Sequence, residues 1–346
     1  MPVRTLKRVL ITGGAGFIGS NLTHLVQKET GADVVVLDDL SSGDRENLER
    51  QHVTFVEGDV RDAGTVRSAI EGCDTVFHLA ASVGNRRSID HPVADSQINV
   101  LGTLNVLEAA RHAGIDKVIY SSSAAIFGEL KTLPIREDHP LEPDTPYGAS
   151  KLGGEKLCLA YAKLYPIDCV ALRYFNVYGP HQRYDAYGNV IPIFAHRALR
   201  GEPITIFGDG EQTRDFVNVR DVAAANLAAA RAPGVSGAFN VASGVRVTIN
   251  RLADLVAATS GRAVEIVHVD PRNGDVRHSL ADISAARVAF GYEASVTLDV
   301  GLSGYMTWCR RALVTGGRDR LAAAASSPVR RRDELRGTSL AGHRSS

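Results

Sequence analysis

The sequence predicts an α/β fold in which a doubly wound parallel sheet is followed by a smaller C-terminal α/β region. Three observations predict it. Short β-rich runs alternate with longer helical patterns through the first half of the 346 residues. Several of those runs are nearly continuous in apolar residues, as strands covered by helices on both faces require. After about residue 175 the alternation weakens and Gly- and Pro-rich connections lengthen.

The strands expected in order are Arg8 to Thr12, Val34 to Asp38, Thr54 to Glu57, Thr75 to Leu79, Lys117 to Ser122 and Cys169 to Tyr174. Between them Ile18 to Gln27, Asp62 to Ile70 and Val93 to His112 read as helices, the last with Val100, Leu104, Leu107 and Ala110 at helical spacing. Thr145-Pro146 is a helix-start signal, a capping side chain followed by a residue whose missing N–H costs nothing in the first turn. Further on, Asp221 to Arg231 and Leu252 to Thr259 look helical and Ala238 to Ala242 looks like a strand. Tyr178 to Asn189 and Phe207 to Arg214 are loop-like and suit a ligand cap. The division expected is a dinucleotide-binding unit over 1–175, with 216–243 returning to it, and a substrate-binding unit over 176–215 and 244–314. The Ala, Ser, Gly and Arg of 315–346, including Arg330-Arg331-Arg332, read as a disordered tail.

Lys plus Arg and Asp plus Glu both total 39, so no global field draws the chain to nucleic acid or anionic lipid. With 44% hydrophobic residues it reads as an ordinary globular protein, and no apolar run nears the roughly 20 residues of a membrane span. Cys73, Cys158, Cys169 and Cys309 have no close-spaced pair, so neither a metal site nor a disulfide framework is expected. The cytoplasm is the expected location.

Gly13-Gly14-Ala15-Gly16-Phe17-Ile18-Gly19 joins the first strand to the first helix. Glycines at 13, 16 and 19 permit a tight turn, close approach of backbone to a pyrophosphate, and packing of helix on strand. Asp38 ends the second strand, where an acid accepts both ribose hydroxyls and repels the extra phosphate of NADP, so NAD is the expected cofactor. Tyr147 and Lys151 are four apart on the opening turns of a capped helix and share a face. A phenol near pKa 10 in water is too weak a base at neutral pH, and a neighbouring ammonium favours its phenolate. Ser123, closing the run Ser121-Ser122-Ser123, can supply a second hydroxyl to the substrate oxygen.

With these motifs in this order the chain resembles the extended short-chain dehydrogenase/reductase family, in its NAD-dependent epimerase/dehydratase branch, over about residues 7 to 310, and the sheet is expected to be Rossmann-type. Asp59-Val60, Leu79-Ala80-Ala81 and Asn99 match cofactor positions of that family. The resemblance implies cofactor contacts at Gly13, Gly16, Phe17, Ile18, Gly19, Asp38, Asp59, Val60, Leu79, Ala80, Ala81, Asn99, Ser121, Tyr147, Lys151 and Tyr174. Arg173 to Pro180, Arg214-Asp215-Phe216 and Arg272-Asn273-Gly274-Asp275 match its sugar-nucleotide positions. Asn176 and the Asn189-Val190 backbone would then hold the diphosphate and uracil side of a UDP-sugar, with Phe207 near the base. Arg214 and Arg272 would clamp phosphates, a task suited to guanidinium forks. Members of the family are commonly dimers built through helices, so Val93 to His112 and Tyr147 to Tyr165 are the segments expected at a homodimer interface.

The resemblance implies oxidation at a sugar C4, with Ser123, Tyr147 and Lys151 as catalytic residues. A 4,6-dehydratase of the family carries an Asp-Glu pair directly after its Ser/Thr, and a decarboxylase carries a Glu there. Here Ala124-Ala125 follow Ser123. The expected reaction is therefore 4-epimerisation of a UDP-hexose of the glucose/galactose type. Rival readings are another nucleotide-sugar oxidoreductase of the family and a non-catalytic nucleotide sensor. Ser279 falls where strict glucose epimerases of the family carry a bulky Tyr, which leaves room for an N-acetyl group. Arg183 lies in a loop where epimerases of UDP-glucuronate carry a carboxylate-binding Arg.

Overall fold

The computed structural model describes residues 3–184, 189–271 and 276–314. The tail expected over 315–346 and the expected phosphate ligand Arg272 lie outside the described residues.

The N-terminal half runs β1 (Arg8–Thr12), α1 (Phe17–Thr30), β2 (Asp33–Asp38), β3 (Val53–Glu57), α2 (Ala63–Ile70), β4 (Thr75–His78), α3 (Asn85–Asp90), α4 (Pro92–Ser96), α5 (Thr103–Ala113), β5 (Lys117–Ser123), α6 (Pro146–Leu164) and β6 (Asp168–Tyr174). The C-terminal half runs β7 (Asn176–Tyr178), α7 (Val190–Arg200), β8 (Ile204–Phe207), β9 (Thr213–Asn218), α8 (Val219–Arg231), β10 (Gly237–Val241), β11 (Arg246–Thr248), α9 (Ile249–Ser260), β12 (Ile266–Val269), α10 (Ser284–Phe290) and α11 (Leu298–Val314).

Seven parallel strands form one Rossmann-type sheet in the order β10-β6-β5-β4-β1-β2-β3. The apolar runs explain the two-sided burial. Along β1, Val9 and Ile11 enter the core on the α1 and α8 side, while Leu10 enters the core shared with α2, α5 and α6. Strand order reverses between β1 and β4. That switch point opens a crevice at the carboxyl ends of the strands, where such sheets bind ligands.

The chain returns to this sheet through α8 and β10. Residues 216–218 instead finish β9, which pairs with β7 and β11 in a separate three-stranded sheet. A third core, built from α7, α9 and α11, carries this smaller region. Helix α7 was not expected from the sequence, because Pro192 inside its first turn and the preceding loop signals mask its apolar face.

The single helix expected over Val93 to His112 is instead α4, a π-helical turn at Gln97–Gly102, and α5. Gly102 packs so close to Val60 that a Cβ there would stand 2.7 Å from its Cγ2. The wider turn aims Asn99, 1% exposed, inward.

The segment after β7 is fastened between the two halves. Pro180 accepts from Asn21 Nδ2 at 3.0 Å and His181 pairs with Ser20 Oγ at 2.8 Å, both partners on α1. Tyr305 Oη of α11 donates to Gln182 O at 2.9 Å, and Trp308 meets the His181 ring edge-on. His181 holds φ +72°, an unusual conformation for a non-glycine residue.

Candidate active site

The glycine turn closes the crevice on one side. Gly13 has φ +70°, and a Cβ on it would lie 2.7 Å from Ala80 N, so only glycine admits the backbone of Leu79-Ala80 here. Gly16, Phe17 and Ile18 remain partly exposed at the start of α1, whose N-cap Gly16 offers no side-chain cap. Asp38, 6% exposed, accepts from Ala15 N at 2.9 Å and from Leu40 N at 2.9 Å. Burial raises its pKa and the two backbone N–H groups oppose that shift. A carboxylate has about four lone-pair sites, and two are spent. The turn, the helix start and Asp38 therefore fit the pyrophosphate and ribose of NAD.

Opposite the turn stands α6. Thr145 caps it by accepting from Gly148 N at 3.2 Å, and Pro146 begins it. The cap fixes the first turns, and with them Tyr147 and Lys151. Lys151, 2% exposed, holds its ammonium 4.5 Å from the centre of the Tyr120 ring. Burial lowers its pKa to about 8, against the upward pull of Cys158, Asp95 and Glu155. Burial likewise raises the Tyr147 phenol, the Ser123 hydroxyl lowers it, and Asp95 raises it. Ser123 ends β5, beside Tyr174 of β6, and its oxygen accepts from Ala125 N at 3.2 Å. Tyr147 and Ser123 thus lie within hydrogen-bonding reach of one another at the end of β5.

The comparisons with known proteins bear on this geometry. Residues 9–242 match the model of the NAD dependent epimerase/dehydratase family. The chain belongs to that family. It is 39% identical over 302 residues, 86% of this chain and 96% of the relative, to a UDP-glucose 4-epimerase of Mycolicibacterium smegmatis. The UDP-glucose 4-epimerase of Thermotoga maritima, solved with UDP-glucose, superposes with a TM-score of 0.82 at 39% identity, covering 88% of this chain and 99% of that one. A UDP-N-acetylglucosamine 4-epimerase from Methanobrevibacter ruminantium, in complex with UDP-N-acetylmuramic acid, gives 0.84 at 36% identity, covering 89% and 99%.

In this epimerase/dehydratase family member the side chains of Asn99, Tyr174 and Asp59, expected at the cofactor, also bond within the protein. Asn99 accepts from Ser82 N at 2.8 Å and donates to Ser82 O at 3.0 Å and Ser150 Oγ at 2.9 Å. Its side chain shapes the loop after Leu79-Ala80-Ala81, leaving no free amide hydrogen for a ligand. Tyr174 Oη donates to Asn226 Oδ1 at 2.9 Å inside the core, within reach of Ser121. Asp59 is bound by its neighbour Arg61 through the side chain and the backbone N–H, and Val60 is 5% exposed.

On the sugar side, Asn176 donates to Asp215 O at 3.0 Å, and Arg214 Nη1 donates to Thr213 O and Val276 O. Ser279, 8% exposed, donates its backbone N–H to Thr213 O at 3.1 Å, so it lies beside the β9 strand that carries Arg214. Asn189 is the N-cap of α7 with no side-chain cap hydrogen bond, and the helix starts at Val190. Phe207 ends β8, half-buried. Arg183, expected at a substrate carboxylate, pairs through Nη2 with Asp44 Oδ2 at 2.9 Å.

Sequence reasoning missed Glu155, which continues the Tyr147 and Lys151 stripe by one turn. Its fully buried carboxylate receives Arg173 in two hydrogen bonds, at 2.7 and 3.1 Å, and Ser122 Oγ at 2.7 Å. That pair ties α6 to β5 and β6 directly below the site. The four-residue spacing alone could have found it. Among the described residues no group of His, Cys, Asp or Glu could hold a metal ion, and no helix is long and apolar enough to cross a membrane.

Proposed function

We propose that this NAD-dependent nucleotide-sugar epimerase inverts C4 of a UDP-hexose, with Tyr147 as the acid/base. NAD, when bound, supplies the hydride acceptor and donor. Tyr147 takes the proton of the sugar O4 and later returns it, Ser123 steadies the same oxygen, and the Lys151 ammonium favours the phenolate. Between the two proton transfers the 4-keto sugar turns over about its phosphate link and presents its other face. One observation carries the reading: Tyr147 and Ser123 meet at the end of β5, and the turn after Ser123, Ala124–Ile126, holds no acid. A dehydratase or decarboxylase needs such a group, and a nucleotide sensor needs neither Tyr147 nor Lys151.

The Arg183–Asp44 pair favours an uncharged sugar over a glucuronate, and the small Ser279 admits a C2 N-acetyl group. Offering UDP-glucose, UDP-N-acetylglucosamine and UDP-glucuronate separately, and following the C4 epimers by proton NMR, tests reaction and substrate together. Epimers of the first two are expected, without added NAD. Accumulating NADH, or no product from any of the three, would defeat the reading.

The same enzyme is expected to be a homodimer. Pro92, Val93, Val100, Leu101 and Leu104 line one shallow apolar depression across α4 and α5, with Val93 69% and Leu101 47% exposed. A light-scattering mass of one chain would exclude it.

A further inference from the structure

Asp95 lies on the opposite face of α4 from Val93 and is 1% exposed. Its Oδ2 accepts from Ser150 Oγ at 2.5 Å, and its Oδ1 has no hydrogen-bond partner. Ser150 also receives Asn99 Nδ2 and lies within 3.0 Å of the Tyr147 carbonyl oxygen. A continuous chain therefore runs from the Ser82 loop beside the cofactor crevice through Asn99 and Ser150 to Asp95. Its Ser150 link sits on the turn of α6 between Tyr147 and Lys151.

The charges around this turn are unequal. Glu155 is neutralised by Arg173 in two hydrogen bonds and by Ser122. Among the described residues no ion pair reaches Asp95. The charged groups of α3, namely Arg86, Arg87 and Asp90, are exposed, and Arg86 pairs with Asp90. From β4 and β5, His78 and Tyr120 face Lys151 and burial keeps both uncharged. From α6 itself, Cys158 is a buried thiol. A buried carboxylate with one oxygen unsatisfied is costly unless a nearby cation offsets it. The cation within its field is Lys151.

We propose that Asp95 is a positioning residue of the acid/base pair. Its carboxylate, fixed through Ser150 to the α6 turn, holds the Lys151 ammonium charged and in place and sets the point at which Tyr147 gives up its proton. The inference rests on Tyr147 being the acid/base. Asp95 raises the proton affinity of both groups, so removing its charge lowers both.

The test compares kcat/KM profiles against pH for the holoenzyme, Asp95→Asn, Asp95→Ser and Ser150→Ala, together with phenolate absorbance at 295 nm, referenced to Tyr147→Phe. In Asp95→Asn and Asp95→Ser both limbs and the phenolate titration are expected to move to lower pH, by about half a unit or more, with KM little changed. Ser150→Ala keeps the charge, so its limbs stay in place while kcat falls. Limbs that coincide with the wild type in both uncharged variants would overturn the proposal. So would failure of both variants to fold, which would make the carboxylate a requirement of the fold. Persistent turnover by Tyr147→Phe would instead sink the acid/base reading.

Discussion

Asp38 ends β2 and Asp215 sits inside the central strand β9, both buried acids, and the difference between them separates the two halves of the molecule. Asp38 takes two backbone N–H groups and is left with accepting capacity toward the crevice. Asp215, fully buried, accepts from Ser243 N, Ser243 Oγ, Gly244 N and Ala281 N. Burial raises the pKa of each, and these bonds oppose the rise. Asp38 keeps accepting capacity in hand, whereas Asp215 spends its own on stitching β9 to two remote loops. Burial alone therefore does not mark a binding residue.

Asp215→Ala is the sharpest way to break the comparison. It strands three backbone N–H groups and a hydroxyl, so a loss of about 4 kcal/mol is expected, read as a lowered urea midpoint. A loss below about 1 kcal/mol would show that the stitch does not hold the sugar half.

Lys151→Met extends the contrast to a buried cation. The folded pKa of about 8 lies below the ordinary lysine value of 10.5, so the native state sheds this proton first and stability rises with pH between the two values. Below about pH 8 the buried ammonium costs the fold up to roughly 3 kcal/mol. Lys151→Met is thus expected to be more stable than the wild type at pH 7 and to have lost its turnover. The stability gap should close as pH climbs toward 10.5, and a gap independent of pH would contradict the argument.

Asp38→Ala is expected to have the smallest effect on the fold. It should weaken NAD binding by about 2 kcal/mol, near thirtyfold, in a calorimetric titration. An unchanged affinity would remove Asp38 as the ribose acceptor.

The cofactor half was legible because its signals are local. The glycine turn, Asp38 and the Thr145 cap each act within a few residues of themselves, and periodicity reveals strands buried on both sides. The sugar half was obscure because its bonds join distant segments. Asp215 meets Ala281 across 66 residues, and Arg183 meets Asp44 across 139. Nothing near Arg183 in the chain announces that partner. Asp95 was hidden for another reason: the π-helical turn after α4 shifts the helical phase, so a fixed period misplaces the faces on either side of it.

The short stretch from Pro180 to Arg183 has a mechanical meaning. It bonds to Ser20 and Asn21 on the helix that begins at the glycine turn, to Asp44 beyond the ribose acid, and to Tyr305 on the last helix. A pivot needs backbone free to rotate, and here four consecutive residues are held from three directions. The two halves cannot swing apart at this seam without also loosening the helix that begins at the glycine turn. Movement at this seam is therefore coupled at once to the start of α1 and to the last helix.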